Sequence, residues 1–195
     1  MSVTSRDGIM TINTRRIVVA GVLGAISIVL AVTRWGYITV PNVVQDATIM
    51  HVTVIIGAVL EGPLVGAAVG GIFGVSSLIL DTSGLFKNPI ISVLPRIIIG
   101  LTAWAAYKGL AKLNRDVAAV VAAIVGTLTN TILVVGLLIA FGSIPVTVIP
   151  LIIPQALAEL ALAAVLTPIV VRAVDVVRSG LTTAVEKGPR DKSSF

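Results

Sequence analysis

Eight polar side chains interrupt the apolar runs of this chain or lie at their ends: Trp35, Tyr37, His51, Asn88, Arg96, Asn130, Gln155 and Glu159. An ionisable or amide side chain at membrane depth is costly, which makes each a functional-site candidate by default. Arg96 can donate charge-assisted hydrogen bonds to a carboxylate in a site of low dielectric. Asn130, within Thr127-Leu-Thr-Asn-Thr131, and Gln155 can read amide or hydroxyl groups. Gln155 and Glu159 are one helical turn apart and share a face. Asn88 precedes Pro89, and Trp35 and Tyr37 stand in a loop with Asn42, Gln45 and Asp46 that can cover a site. Each has a plainer reading beside the functional one. Arg96 can snorkel to the interface or pair with Glu159. Asn130 can bond a neighbouring helix, and His51 can be a satisfied packing residue. Trp35 and Tyr37 can belong to an interfacial aromatic belt.

No catalytic constellation competes strongly with a binding role for this set. The chain has no cysteine and one histidine, so Cys nucleophiles, thiolate metal sites and a His-based metal cluster are excluded. There is no GxSxG, no HExxH, no paired-Asp motif and no Walker glycine loop. Without a nucleotide site the chain cannot power transport by itself. No catalytic residue, metal ligand or cofactor is assigned. Aromatics are 4% of residues, too few for a platform on which nucleic-acid bases stack. Two rival functions stay in view. One is a self-sufficient facilitator or channel working as a homo-oligomer, although no filter-like repeat is present. The other is an intramembrane enzyme of lipids or isoprenoids, for which Glu159 is the single obvious deep carboxylate.

The elements that must position these residues follow from composition. Of 195 residues, 56% are hydrophobic and 12% are charged, about half the roughly 25% charge of an average soluble domain. Such a chain resides in a lipid bilayer, and its length accommodates about six spans of ~20 residues. The apolar runs cover 17–33, 47–60, 64–80, 92–107, 117–141 and 146–171. Pro150 and Pro154 are expected to loosen the last of them near Gln155. An all-α integral membrane protein with six transmembrane helices is expected. Its segments are a cytoplasmic 1–16, a membrane domain 17–171 and a cytoplasmic tail 172–195.

Charge sets the expected orientation. Arg6, Arg15, Arg16, Lys108, Lys112, Arg115, Arg172, Arg178, Lys187, Arg190 and Lys192 fall on one side, 11 of the 14 Lys and Arg. Arg34 and Lys87 fall on the other, with Arg96 just inside the fourth span. The positive-inside rule then puts both termini in the cytoplasm of a multi-pass cell-membrane protein. The net charge of +5 needs no nucleic-acid partner.

Small residues mark close packing. Gly62, Gly66, Gly70 and Gly74 form a ridge without side chains, suited to helix contact within the monomer or between copies. Ala20 with Gly24, and Gly21 with Ala25, form smaller versions in the first span.

The stretch Asp46-Ala-Thr-Ile-Met-His-Val-Thr-Val-Ile-Ile-Gly57, then Gly62-Pro63 and Gly66 to Gly74, resembles the substrate-binding S component of an energy-coupling factor transporter. The run Lys87-Asn-Pro-Ile-Ile-Ser-Val-Leu-Pro-Arg96 and the segment Gly126 to Thr131 carry the same resemblance, which covers Ile17 to Val171. The resemblance implies tight binding of a water-soluble vitamin or related micronutrient from outside, in a pocket capped by the loop between the first two spans. It implies partners as well: a membrane scaffold subunit and two cytoplasmic ATPases that use ATP while the S component topples in the membrane. An AxxxA motif in the first span of the family docks the scaffold, and its matching positions here are Ala20 and Gly24. Arg96 points to a small carboxylate vitamin such as pantothenate, while folate, riboflavin and cobalamin-type substrates stay open.

Overall fold

Seven helices and one short β-ribbon make up the computed structural model, which describes residues 14–33, 35–38 and 47–186. The side chains of Tyr37, Ile38, Ala47 and residues 181–186 are not among those described, and Arg34, Asn42, Gln45 and Asp46 lie outside the described residues. Helix α1 spans Thr14–Val32, and strands β1 (Tyr37–Ile38) and β2 (Ala47–Thr48) pair antiparallel, Tyr37 opposite Thr48. Then come α2 (Met50–Glu61), α3 (Pro63–Leu80), α4 (Pro89–Ser92), α5 (Leu94–Leu110), α6 (Arg115–Ala140) and α7 (Ile149–Glu186). Local chemistry sets the breaks. Gly62 adopts φ 100°, a conformation that favours glycine, and Pro63 then starts α3. The Asn114 side chain accepts from the N–H groups of Asp116 and Val117 and so caps α6.

Five of these helical stretches are long and apolar enough to cross a membrane: 14–32, 63–80, 89–110, 115–140 and 146–180. The expected second span differs. Helix α2 has 12 residues, about 18 Å at 1.5 Å per residue, against a hydrocarbon core of ~30 Å. It lies at the centre of the bundle, with Met50 to Val59 buried, and the β-ribbon stands at its N-terminal end. Helix α7 runs on past the expected end at 171 to Glu186.

The glycine ridge is consumed inside the chain. A Cβ at Gly66 would lie 2.6 Å from Ala58 Cβ and 3.0 Å from Gly100 Cα, and one at Gly74 would lie 2.7 Å from Val93 Cα. A Cβ at Gly70 would collide with the Arg96 carbonyl. Residues 66, 70 and 74 thus oppose 100, 96 and 93, an antiparallel register in which the α3 and α5 backbones touch. Of the two readings of the ridge, packing within the monomer is the one realised. Gly24 is used the same way, its missing side chain making room for Ile72 of α3, and Ala20 packs on the core beside it. Gly21 and Ala25 are exposed, and a Cβ at Gly21 would meet nothing within 4 Å.

One end of the bundle is tied by charge. Glu61 of α2 accepts from Arg15 of α1 at 2.7 Å and from Arg178 of α7 at 2.6 Å. Arg115 meets Asp175 at 3.3 Å, Arg172 meets Asp116 at 3.7 Å, and the Lys108 ammonium lies 4.7 Å from the Trp104 ring centroid. The candidate site occupies the other end.

Candidate substrate-binding site

A cavity of about 400 Å³ opens between α3, α5, α6 and α7 beneath the β-ribbon, within the range of small-molecule sites. The α3–α5 contact brings Arg96 to its wall. Because Gly70 lets the backbones touch at Arg96, the guanidinium enters the cavity while its main chain stays locked. One Nη donates to the Ile91 carbonyl at 2.6 Å. The guanidinium carbon lies 4.9 Å from the Phe86 ring centroid and 5.4 Å from that of Phe73. Two aromatic faces stabilise the buried cation without neutralising it. Only 5% of Arg96 is exposed.

The facing wall comes from α6 and α7. Asn130 is buried on α6, and its Oδ1 has no hydrogen-bond partner among the described residues. A buried amide oxygen in that state is an acceptor for a donor on a ligand. Gln155 and Glu159 lie one turn apart on α7, and both line the cavity. Glu159 Oε1 accepts the Thr48 backbone N–H at 2.7 Å, and Gln155 Nε2 approaches it at 3.4 Å. Among the described residues Glu159 makes no ion pair with Arg96. The turn after α3 supplies the rim. Partial burial pushes the Asp81 carboxyl up, but the Ser83 hydroxyl and the backbone N–H groups of Phe86, Ser83 and Gly84 outweigh it. The Asp81 carboxyl is therefore held below the usual range and stays anionic at neutral pH.

Arg96, Asn130, Gln155 and Glu159, chosen from sequence, thus line one cavity. His51, Asn88 and Trp35 sit elsewhere. His51 is fully buried on α2, with Nε2 3.1 Å from Thr127 Oγ1, and pins α2 to α6 without lining the cavity. Asn88 caps α4, accepting the Ile90 N–H at 3.0 Å. Trp35 is 83% exposed and lies outside the lining, and the Tyr37 side chain is outside the described residues. Sequence reasoning missed Phe73, Phe86 and the Thr48 N–H. Phe86 beside Lys87 was a readable signal, since a lone aromatic near a cation in an aromatic-poor chain suggests a cation–π partner. The Thr48 N–H carried no sequence signal, because every non-proline residue has one.

Residues 15–171 match the family described as ECF transporter, substrate-specific component. The chain is 33% identical over 105 residues to a pantothenate transporter PanT of Leuconostoc mesenteroides subsp. mesenteroides, covering 49% of this chain and 52% of that one. It is 32% identical over 117 residues to a pantothenic acid transporter PanT of Lactococcus lactis subsp. cremoris, covering 49% and 58%. The chain thus spans little more than half the length of the curated relatives it matches. With a membrane-embedded helical bundle around a ligand-sized cavity, and a family match over most of its length, the chain belongs to the substrate-specific components of ECF transporters, membrane transport proteins rather than enzymes.

Proposed function

We propose that this chain captures pantothenate, or a closely similar small carboxylate, from outside the cell with high affinity and delivers it inward in an ATP-driven complex. The observation that carries this reading is Arg96, a buried cation held over two aromatic rings in the wall of a ligand-sized cavity. A carboxylate can take charge-assisted hydrogen bonds from it in a low-dielectric site, where such bonds are strongest. Asn130 Oδ1, buried and facing the same space, accepts from a hydroxyl or amide N–H of the substrate. Gln155 completes the polar wall. The names of the two relatives support pantothenate.

The family supports the rest of the machine: a membrane scaffold subunit and two cytoplasmic ATPases that use the ATP. The protein resides in the cell membrane, α2 completing a sixth crossing and both termini in the cytoplasm. The basic end around Arg15, Lys112, Arg115 and Arg172 favours that orientation. Scaffold docking falls to α1, whose open small-residue face carries Gly21 and Ala25, while Ala20 and Gly24 pack against α3 and the core. The facilitator reading depends on the α3 ridge joining copies, and that ridge is occupied by α5.

Native mass spectrometry of the detergent-released chain, followed by calorimetry with pantothenate, folate, riboflavin and cobalamin, tests the reading. One pantothenate bound per chain is the expected result. Binding of a different vitamin corrects the substrate, and binding of none removes the carboxylate reading.

A further inference from the structure

Glu159 lines the cavity, yet its carboxylate already has an occupation. Oε1 accepts the Thr48 N–H at 2.7 Å, and Glu159 itself is 5% exposed. Thr48 ends β2, two residues before Met50 starts α2, and Thr48 and Met50 both line the cavity. On its α1 side the Gly36 N–H donates to the Leu30 carbonyl, and across the base of the ribbon the Ile49 N–H donates to the Gly36 carbonyl, each at 3.0 Å. On its α7 side Glu159 ties the ribbon through the Thr48 N–H. An anion accepting a backbone N–H away from water makes a stronger bond than a neutral acceptor does.

We infer that Glu159 is a positioning residue: it fastens β2 to α7 through the Thr48 N–H and so sets the outer wall of the substrate cavity, rather than contacting substrate itself. The inference rests on the reading of this cavity as the substrate site.

The test compares Glu159→Gln with Glu159→Met in the full chain, in detergent or nanodiscs. Glutamine keeps an oxygen at the same reach; methionine keeps the length without an acceptor. In ligand-free protein, hydrogen exchange at Thr48 should rise about tenfold in the methionine variant and stay near wild type in the glutamine variant. With pantothenate, the methionine variant should release substrate about tenfold faster with little change in association rate, and glutamine should restore most of the residence time. Equal loss of binding in both variants would make Glu159 a direct ligand and overturn the inference. Unchanged Thr48 exchange in the methionine variant would do the same. Should methionine prevent folding, Glu159→Ala is read by the same exchange measurement. A wild type that binds no pantothenate would sink the substrate reading, and Thr48 exchange would still decide the role of Glu159.

Discussion

At the scale of single residues, Arg96 decides the chemistry of the cavity. Its charge is buried, its carbonyl is pressed on Gly70, and its guanidinium lies over Phe73 and Phe86. Truncating one partner of a desolvated charge pair costs about 2–5 kcal/mol. Arg96→Ala should therefore weaken carboxylate binding on the order of a hundredfold, while the protein still purifies as a folded species, as calorimetry and size-exclusion chromatography can show. Unchanged affinity would remove Arg96 from the site. His51 and Asn88 show the opposite outcome. Both bond locally, His51 Nε2 with Thr127 Oγ1 and Asn88 Oδ1 with the Ile90 N–H, and neither lines the cavity. Polarity at depth marks a residue as used; only its neighbours say for what.

At the scale of elements, the α3–α5 contact is the construction on which the site depends. Gly66, Gly70 and Gly74 meet Gly100, Arg96 and Val93 backbone to backbone. Any side chain at 70 must displace main chain, which cannot relax as a flexible side chain does. Gly70→Ala should lower stability by about 3 kcal/mol, seen as a large drop in the melting temperature of the purified protein. Gly71→Ala is the control. A Cβ there meets nothing within 4 Å, and alanine favours the helix over glycine by about 1 kcal/mol. Equal behaviour of the two variants would refute the register. Helix α2 shows that an apolar run need not face lipid. Its 12 residues are nearly all buried, so its hydrophobicity serves the protein core rather than lipid.

At the scale of the whole molecule, the two ends differ in kind. One is closed by the Glu61 node, where Arg15 and Arg178 bring the start of α1 and the far part of α7 to the end of α2. The other holds the cavity, its anionic rim at Asp81 and the ribbon. An orientation with the basic end inward puts the cavity toward the outside. The absence of cysteine makes this directly measurable. A thiol reagent that cannot cross membranes should label Thr82→Cys in intact cells and Lys112→Cys only after permeabilisation. The reverse pattern would invert the topology.

The sequence by itself determined that the chain is helical and membrane-embedded, which end is basic, and which polar residues were worth following. Hydropathy, charge and side-chain chemistry are one-dimensional properties, and the lipid solvent reads them almost residue by residue. Arg96, Asn130, Gln155 and Glu159 were legible because a polar group in hydrocarbon has few cheap fates. The tertiary structure decided the rest. It put these four on one cavity and withdrew His51, Asn88 and Trp35 from it. It turned Gly24 inward and left Gly21 open. It ran α7 on to Glu186, where Arg178 reaches Glu61. These are questions of which helix face meets which neighbour and at what register. They turn on contacts between residues far apart in the chain, such as Gly70 with Arg96 and Thr48 with Glu159, and no local pattern encodes such pairs.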